Sequence, residues 1–542
     1  MIDTFYAPRF DVRIAGLTLA ADVSNRVTGV SFDSDLDMAS MFNITMHNPD
    51  NQFLDSALFD LGKRVEIYMG YGNDLRPMML GEITALEPSF PEGGAPTLRI
   101  SGYDLSYRMR NNDVDRSFQY VPDSAIAAQI AGESLLIPVV DPSPIFRSKK
   151  VLHSGSDMAL LKKLARENFF EVYVWWDKLY FQFPRPQTEA IVLEWGKNLS
   201  SYSPRISSAN QAGLQVVRSY NEELAQDIVA VAMAADFNPD TFVEKLGSSA
   251  LDLLRSLGRR LIHKEKVAST IDALTIAKSI MQEILDGMYE GSGSCIGIPD
   301  LQAGQYISLQ GIGKRFSGTY RVRKTTHTID DSGYHTSFEV TQKSGASLLP
   351  LLRKSVQEKP SPNTPERFYG VTRGKVTQNN DLESGILMGR VKVSHPWLSD
   401  TAESDWARCA TPMSGSNIGM YFLPEVDDEV LIAFEKGDLS SPIVIGSLWN
   451  ADNRPPANNS DGQNSTRVIK TKAGHTIMLD DTKQGEKIVI SDKGGSKITM
   501  NSDGSVTINA RGDITLTSQN GSITIQAQNG NITLAAKGVD VQ

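Results

Sequence analysis

Apolar and polar residues alternate in a repeat that begins at Ile498 and continues toward the end of the chain. Each unit of eight or nine residues holds two apolar residues with one polar residue between them, and a glycine closes the unit. Alternation places both apolar side chains of a unit on one face of a strand, and glycine allows the backbone to turn between strands. The apolar residues are Ile498, Met500, Val506, Ile508, Ile514, Leu516, Ile523, Ile525, Ile532 and Leu534, and the corner glycines are Gly504, Gly512, Gly521, Gly530 and Gly538.

A strand-and-corner repeat of so short a period predicts a β-solenoid. Two apolar residues per unit are too few for one chain to enclose a core, whereas three chains can bury their apolar stripes against each other in a prism. A surface β-meander is the alternative, although its turns would vary more in length than these do. We therefore expect an intertwined β-helix (β-prism) needle over residues 466–542, in a homotrimer whose core is the apolar set.

Short strand-like runs separated by turn residues fill residues 1–110 and predict a first tube-like β-barrel. Residues 213–350 repeat the same order of runs, with a helical insert at 221–290, and predict a second barrel. LGKRVEIYMGYG resembles AGQYISLQGIG, LGEITALEPSF resembles SGTYRVRKTTH, and APTLRISG resembles YHTSFEVT. One barrel module used twice would give six barrels in a trimer, enough to form a ring beneath a hexameric tube.

Between the barrels, residues 111–212 are predicted to form a mixed α/β segment. Asp123 or Ser124 can cap one helix, and Ser156 or Asp157 can cap another. The run FEVYVWWDKLYFQF predicts a packed hairpin, with stacking on a ligand as the alternative. In the second barrel's insert, apolar residues recur at helical spacing; they are Ile271, Leu274, Ala277, Ile280 and Ile284.

A proline-containing linker at residues 351–367 precedes a compact, strand-rich segment at 368–450. Five short strands in so few residues suggest a small closed barrel of the OB type. An OB fold can bind single-stranded nucleic acid, but that function needs a basic and aromatic face. This segment is acidic instead, so a structural collar is the favoured interpretation; the acidic residues are Glu425, Asp427, Asp428 and Glu429.

Length and charge narrow the class of protein. The 542 residues predict three or four domains, and 54 basic against 64 acidic residues give a formal charge of −10, which argues against a general nucleic-acid or anionic-membrane binder. The start shows no secretory signal pattern, and no apolar run is long enough to span a bilayer. The two cysteines, Cys295 and Cys409, are expected to be buried thiols in a protein that folds in a reducing cytoplasm.

Candidate enzyme chemistry is weak, and we expect no catalytic site, no cofactor and no metal site. The seven histidines are scattered without a metal-ligand spacing, and GVTRGK lacks the spacing of a phosphate-binding loop. The adjacent acids Asp330-Asp331, Asp427-Asp428 and Asp480-Asp481 are more typical of solvated turns than of acid/base pairs. The alternative from another class is a cell-wall glycan hydrolase with an unrecognised carboxylate pair.

A resemblance to a known family now becomes specific. The ordered segments GRVKVSHPW, DWARCATP, FLPEVDDEVLIAFEKGD and SPIVIGSLWN resemble the OB domain of VgrG-type spike proteins and phage tail-spike hubs. Upstream, SGSDMALLKKLARENFFEVYV and LEWGKNLSSYSPR are similar to the family's hub, so the resemblance covers essentially the whole chain. It implies a trimeric spike with a hub, an OB collar and a needle that punctures a membrane, adapting a six-fold tube to a three-fold tip.

The resemblance also implies partners and a place. These are the inner tube or a hub adaptor, baseplate proteins, and a PAAR-type tip cap, with only transient contact to a target membrane and none to nucleic acid. We expect the cap on the last turn, at Leu534, Val539, Val541 and Gln542. The short collar-to-needle gap and short needle look most like spikes of extracellular contractile injection systems, such as antifeeding prophages and Photorhabdus virulence cassettes. Such a spike is made in the bacterial cytoplasm and released in a particle; a type VI secretion VgrG spike is the alternative.

Overall fold

The computed structural model describes residues 7–147, 151–184, 190–207, 212–221, 225–233, 259–262, 269–286, 289–340, 368–384, 387–396, 403–535 and 537–538. The chain divides into two compact units, Met1–Ser447 and Leu448–Gln542. Strands dominate both units, so the predicted mainly β, multidomain class is confirmed.

Residues 8–104 form the first half of the region that we call the hub. They fold into an antiparallel sheet with one buried face, in the strand order β3-β4-β7-β6-β5-β1-β2. Alternation explains the burial: in β4, Phe42 and Ile44 are buried while Asn43 between them lies on the other face. The strands are β1 (Pro8–Ile14), β2 (Leu17–Thr18), β3 (Val27–Asp35), β4 (Met41–His47), β5 (Arg64–Tyr71), β6 (Asp74–Ser89) and β7 (Thr97–Asp104). Short helices are α1 (Ala21–Ser24) and a 3-10 turn at Ala57–Phe59.

Helices α2 (Tyr107–Asn111), α3 (Asp123–Glu133) and α4 (Asp157–Glu167) build the mixed segment with seven short strands. The predicted cap of α4 is confirmed, because the Ser156 hydroxyl accepts from the Ala159 N–H at 3.2 Å. The predicted cap of α3 is wrong: Pro122 is the N-cap, and the buried Asp123 carboxylate accepts from Asn168 instead. The strands are β8 (Val114–Phe118), β9 (Val121–Pro122), β10 (Ile137–Val140), β11 (Phe146–Arg147), β12 (Val151–Gly155), β13 (Glu171–Trp175) and β14 (Lys178–Gln182).

The aromatic run forms the packed hairpin that its alternation predicts. β13 and β14 pair antiparallel, and Tyr173 and Tyr180 stack with ring centroids 4.9 Å apart. Val172, Val174 and Leu179 are buried in the core of the mixed segment. The aromatic residues therefore fill and flank a core.

The second half of the hub begins before residue 213, where the second barrel was predicted to start. Two of its strands, β15 (Ile191–Glu194) and β16 (Leu199–Ile206), lie upstream of that residue. β17, β18 and β19 form a separate sheet covered by α5, against which Ile228 and Ala230 are buried. The helix predicted from the apolar spacing is confirmed as α5. Ala277, Ile280 and Ile284 are buried in it, whereas Ile271 is 74% and Leu274 37% exposed. The elements are β15 (Ile191–Glu194), β16 (Leu199–Ile206), β17 (Leu214–Asn221), β18 (Gln226–Met233), β19 (Arg259–Ile262), α5 (Thr270–Asp286), β20 (Tyr289–Ile296), β21 (Tyr306–Gln310), β22 (Gly318–Asp330) and β23 (Gly333–Val340).

The two halves share one strand arrangement. The order β16-β20-β23-β22-β21-β15 repeats β3-β4-β7-β6-β5-β1, with a parallel β15–β21 pair as the one difference in direction. The correspondence extends to single hydrogen bonds: the Gly62 N–H donates to Ile83 and the Gly304 N–H to Val322, both at 2.8 Å. A bulge follows Ile83 in β6 and Val322 in β22. Ile83 and Val322 are therefore equivalent positions.

Within the chain the halves are joined by the ladder between β22 and β3. His327, at 0% exposure, lies on this ladder. Its Nε2 is 2.8 Å from the Leu301 carbonyl oxygen, so Nε2 carries the hydrogen. Nδ1 is therefore the acceptor, and the hydroxyl oxygens of Tyr334 and Thr336 lie 3.0 and 3.1 Å from it. Burial lowers the pKa of His327 to about 4, because the imidazole lacks water to solvate a second proton.

We expect this joint to weaken in acid. A histidine whose pKa is near 4 when folded and near 6.5 when unfolded contributes stability that is complete above pH 6.5 and is lost as pH falls to about 4. The loss is about 3 kcal/mol. In the parent chain, hydrogen exchange of the β22 and β3 amides should become faster as the pH falls from 6.5 to about 4, and this change should be much smaller in His327→Gln. His475→Gln, at an exposed position, is the control and should behave like the parent. An unchanged pH dependence in His327→Gln would contradict this assignment.

The collar is a closed barrel in the order β24-β25-β26-β30-β29, as predicted. Val391, Val393 and Val430 fill its core, and the Leu152 N–H donates to the Ser440 hydroxyl at 2.9 Å, which ties the barrel to the mixed segment. The strands are β24 (Val371–Gln378), β25 (Arg390–Ser394), β26 (Ala407–Cys409), β27 (Ser414–Gly415), β28 (Ile418–Gly419), β29 (Glu429–Phe434) and β30 (Pro442–Leu448), with 3-10 turns at Asp381–Ser384 and Glu435–Gly437.

The second unit is a five-stranded antiparallel meander over residues 466–509. Neighbouring strands of one chain satisfy each other's backbone groups in this meander, and the intertwining of three chains stays a prediction. The strands are β31 (Thr466–Lys470), β32 (Thr476–Asp480), β33 (Lys487–Ser491), β34 (Lys497–Asn501) and β35 (Val506–Asn509).

Candidate functional site

One face of the C-terminal meander is made of large apolar side chains in two rows that cross the strands. Residues paired across an antiparallel ladder lie on the same face, and the registers place isoleucine beside isoleucine. The first row is Ile469, Ile477, Ile490, Ile498 and Ile508. The second row is Leu479, Ile488, Met500 and Val506. We call these two rows the apolar face.

The apolar face is exposed. Ile498 is 38% exposed, Ile490 45% and Ile508 60%. The reverse face is largely polar and partly buried, with Thr499 on it and an ion pair of 3.4 Å between Lys487 and Asp480. In the hub sheet the apolar side is buried, so the meander has the reverse of the burial that a self-sufficient sheet shows.

The predicted needle residues divide at Asn509. Ile498, Met500, Val506 and Ile508 come together on the apolar face. The later ones are exposed and lie outside the ladder in the described residues; they are Ile514, Leu516, Ile523, Ile525, Ile532 and Leu534.

Sequence reasoning missed the upstream half of the face, because it counted only the glycine-closed units. The missed residues are Ile469, Ile477, Leu479, Ile488 and Ile490, and the signal that could have found them is the alternation in TRVIK, TIMLD and KIVIS.

The corner and tip residues are placed in part. Gly504 has a φ of +81°, a conformation that favours glycine; Gly512, Gly521, Gly530 and Gly538 lie in described backbone without a positive φ. Leu534 is 71% exposed. Val539, Val541 and Gln542 lie outside the described residues.

The collar carries a second exposed apolar surface on and after its β27–β28 hairpin. The Thr411 hydroxyl donates to the Met420 carbonyl at 2.7 Å and holds the segment that follows the hairpin against the barrel. Tyr421 is 78% exposed and Phe422 65%. We call this surface the collar patch; its members are Met413, Ile418, Met420, Tyr421 and Phe422.

The candidate carboxylate pairs lie in turns or at the ends of strands, with local partners. The Ser332 backbone N–H and hydroxyl donate to Asp330, and these bonds lower the pKa of its carboxyl. Asp480 accepts from the Thr482 hydroxyl, which lowers its pKa in the same way. Asp427 pairs with Lys375 at 2.9 Å. Each of these carboxylates thus has a partner suited to a turn or a surface ion pair.

In the part of the chain that the structure describes, no three His, Cys, Asp or Glu side chains cluster as metal ligands would. No described helix is long and apolar enough to cross a bilayer. Cys295 is buried, and burial raises the pKa of its thiol to about 12; Cys409 is half-buried.

Two family models match the chain. Residues 9–331, more than half of the chain, match the Alg8 N-terminal domain. Residues 372–449 match the Type VI secretion system/phage-baseplate injector OB domain. The second match lies on the closed barrel, so the predicted OB assignment is confirmed.

The chain is similar in sequence to proteins that are named as type VI secretion system spike proteins. The chain is 34% identical over 116 residues to type VI secretion system spike protein VgrG3 of Vibrio cholerae serotype O1, covering 20% of this chain and 10% of that protein. It is 28% identical over 204 residues to spike protein VgrG1c of Pseudomonas aeruginosa, covering 34% of this chain and 26% of that protein. The chain thus matches about a tenth to a quarter of the length of these relatives.

A solved structure shares the fold. A chain of the Francisella PdpA-VgrG complex superposes with a TM-score of 0.57 at 9% identity, over 93% of this chain and 80% of that one. Together with the spike-named relatives, this similarity supports the resemblance to VgrG-type spikes that the sequence suggests.

Proposed function

Because the chain belongs to the family of the Alg8 N-terminal domain and carries an injector OB domain, we propose that it is the structural central spike of a contractile injection machine. The observation that carries this proposal is the apolar face of the C-terminal meander, which a single chain leaves in water. A spike that transmits force along its axis has to be stiff. Covering the apolar face with further copies would supply that stiffness.

Three copies around an axis are the assembly that we propose. Each large aliphatic side chain gains about 1.5–3 kcal/mol when it passes from water to an apolar interior. The two rows contain nine such side chains per copy, with Ile477 and Ile490 near the middle. Three sheets that meet with these faces inward would bury all of them and turn the polar reverse faces outward. Residues 510–535, which lack partners in the described ladder, would pair with neighbouring copies.

The collar patch supports the same assembly through an independent surface. Tyr421 and Phe422 stand in water on a barrel whose own core is already filled. Aromatic residues at a contact between proteins contribute large buried area at little entropic cost. We propose that the patch packs on the neighbouring copy's collar in the homotrimer.

The duplicated hub explains how such a spike would meet a tube. Each chain contributes two halves with the same strand order, so three chains present six equivalent sheets. A ring of six similar sheets offers six contacts to a hexameric inner tube or to a hub adaptor, while collar and needle keep three-fold symmetry. Baseplate proteins would hold the outside of this ring, and the needle would pass axial force to the target membrane during a transient contact.

The oligomeric state tests this function directly. We expect sedimentation and native mass measurements to give a homotrimer at micromolar concentration that persists in mild denaturant. A stable, folded monomer under these conditions would reject the spike function, because a lone chain leaves the apolar face and the collar patch in water.

The tip of the needle is the proposed docking point for a PAAR-type cap. In the described residues beyond Asn509 the backbone lies outside the ladder, and Leu534 is exposed. Open strand ends accept further strands from a partner. We propose that Leu534, Val539, Val541 and Gln542 of three copies form the platform for the cap.

Truncation after Gly530 tests whether the tip residues bind the cap independently of trimer formation. We expect the shortened chain to remain trimeric, because the meander at residues 466–509 is intact, but to lose the cap in a pull-down with the cognate PAAR-type protein. Substituting Thr524 with Ser, upstream of the tip, is the matched control and should keep cap binding. Full recruitment by the truncated chain would place the cap elsewhere.

The machine to which the spike belongs is the finer part of the proposal. Only a short segment separates β30, which ends at Leu448, from β31, which begins at Thr466, so no further domain lies between collar and needle. That layout supports an extracellular contractile particle assembled in the bacterial cytoplasm and then released. The spike names of the relatives favour a type VI secretion spike as the second candidate. Recovery of the chain with sheath and tube in cell-free culture fluid supports the particle; recovery only from cell-attached assemblies supports type VI secretion.

We also propose that the spike has a structural role and does not hydrolyse cell-wall glycans. The carboxylates of the adjacent acidic pairs accept from turn residues or pair with lysine, as at Asp330 and Asp427. A glycan hydrolase needs two carboxyl groups facing each other across a bound sugar. Incubation of the trimer with purified peptidoglycan fragments should release no soluble sugar, and release that Asp330→Asn abolishes would favour the hydrolase.

A further inference from the structure

Two asparagines in the C-terminal repeat stand directly before corner glycines, as Asn520-Gly521 and Asn529-Gly530. The sequence contains these two Asn-Gly pairs and no others, and they lie nine residues apart. We propose that both are self-modification sites: a chain outside the assembled needle converts these asparagines to isoaspartate or aspartate, and assembly of the needle suppresses the conversion. The suppression rests on the homotrimer proposed above, whereas the conversion itself does not.

The reaction needs a glycine directly after the asparagine, and it consumes water and releases ammonia. The backbone nitrogen of the glycine attacks Cγ of the asparagine side chain, so that a new C–N bond closes a succinimide ring and the Cγ–Nδ2 bond breaks. Ammonia leaves, and the proton of the glycine N–H ends on it. Water then opens the ring at the side-chain carbonyl, which gives aspartate, or at the main-chain carbonyl, which gives isoaspartate. Glycine favours ring closure because no Cβ crowds the attacking nitrogen.

Both pairs are open to this reaction in the single chain. All four residues are exposed, and they lie beyond β35, the last strand of the meander. Within the described part of the chain, neither the Asn520 nor the Asn529 side chain makes a hydrogen bond. A Cβ atom built on Gly530 would meet no atom within 4 Å, and one built on Gly521 would meet the Ser518 hydroxyl oxygen at 3.3 Å. Each glycine nitrogen can therefore approach the side chain of the asparagine before it.

Comparable residues within the meander are held by hydrogen bonds. The Asn501 side-chain amide donates to the Ser505 hydroxyl at 2.9 Å. Asp503, which stands before the corner Gly504, accepts from the Ser505 backbone N–H at 2.9 Å, and the bonds from Ser505 lower the pKa of its carboxyl. An ionised carboxylate is a poor target for a backbone nitrogen, so this corner resists ring closure. The two Asn-Gly corners have neither a bonded side chain nor a charge to protect them.

Needle assembly would remove this freedom. Apolar pairs flank the first site, with Ile514 and Leu516 before it and Ile523 and Ile525 after it. In the proposed trimer these strands pair with neighbouring copies, so the backbone is fixed on both sides of each corner. Ring closure then requires a local opening of the needle, which slows it. Isoaspartate adds one carbon to the main chain at the corner and moves the strand that follows out of register, so a chain that stays unassembled loses the geometry that the needle needs.

Peptide mapping by mass spectrometry tests the sites. The parent chain and Ile498→Asp, a variant whose needle is expected not to assemble, are incubated side by side in a mildly alkaline buffer, which speeds ring closure by removing the proton from the glycine nitrogen. We expect both Asn-Gly peptides to convert roughly ten-fold faster in the variant than in the parent trimer. Asn501, which precedes a serine, is the internal reference and should remain asparagine in both chains.

Gly530→Ala in the Ile498→Asp chain is the matched control. The added Cβ has room but crowds the attacking nitrogen, so conversion should fall at Asn529 and continue unchanged at Asn520. Conversion of both Asn-Gly pairs as slow as that of Asn501 in the unassembled variant would overturn the modification sites.

The comparison with the parent decides whether assembly protects the sites. Equal conversion in the parent trimer and in the variant would overturn the protection, as would an Ile498→Asp chain whose residues 466–535 resist protease like the parent. A monomeric parent whose two Asn-Gly peptides convert would reject the spike function and leave the modification sites standing.

Discussion

Replacing Ile498 with aspartate is expected to destroy the needle while leaving hub and collar folded. In a single chain Ile498 is 38% exposed, so a carboxylate there costs little. In the proposed trimer the same position faces the axis, and three copies would bring three carboxylates together without partners. A buried, unpaired charge costs several kcal/mol, and three carboxylates at the same level of the axis also repel each other, so the apolar faces should no longer close on one another. Limited proteolysis should then cleave residues 466–535 rapidly, whereas the parent resists.

Thr499 is the matched control, because it is the next residue of the same strand and lies on the reverse face. Thr499→Asp places the same charge in water and should keep the protease resistance of the parent. The pair Ile523→Asp and Thr524→Asp extends the comparison beyond the ladder. Equal sensitivity of the Ile498 and Thr499 variants would show that the apolar face is not the buried one.

Replacing Gly102 with valine is expected to unfold the first half of the hub. Gly102 lies in the middle of the sheet, opposite Phe42 on β4 and Ile83 on β6. A Cβ atom there would press on the carbonyl oxygen of Glu82 and lie 2.6 Å from the Phe42 ring. Neither the backbone nor a fully buried ring can move aside cheaply, so we expect a loss of about 3 kcal/mol or more.

Gly132→Ala is the control for this prediction, since a Cβ at Gly132 in α3 would meet no atom within 4 Å. Alanine in a helix is favoured over glycine by about 1 kcal/mol, so this variant should be neutral or slightly more stable. Thermal unfolding followed by the protection of β4 and β7 amides would compare the two. A Gly102→Val chain as stable as the parent would mean that the sheet can spread at this point.

Much of the fold could be predicted because its signals are local. Alternation in β4 and in the aromatic hairpin determined both the strands and their buried faces, and the Ser156 cap followed from residue type alone. The similarity of LGKRVEIYMGYG to AGQYISLQGIG aligns Gly62 with Gly304, and the structure confirms this alignment, because the two N–H groups make equivalent hydrogen bonds. The alignment of Gly81 with Gly318 does not hold: Gly81 corresponds to Tyr320, two residues later, because the register depends on pairing with distant strands.

For the candidate site, the sequence by itself determined that an apolar stripe repeats near the C-terminal end and needs a cover, because side-chain alternation is a property of neighbouring residues. Only the tertiary structure decided which strands are neighbours. It extended the stripe to Ile477 and Ile490, placed β17 to β19 in a sheet of their own, and joined the hub halves through β22 and β3. Strand pairing is made by backbone hydrogen bonds between residues far apart in the chain, and every backbone offers the same donors and acceptors. The choice among partners therefore depends on the packing of the whole sheet.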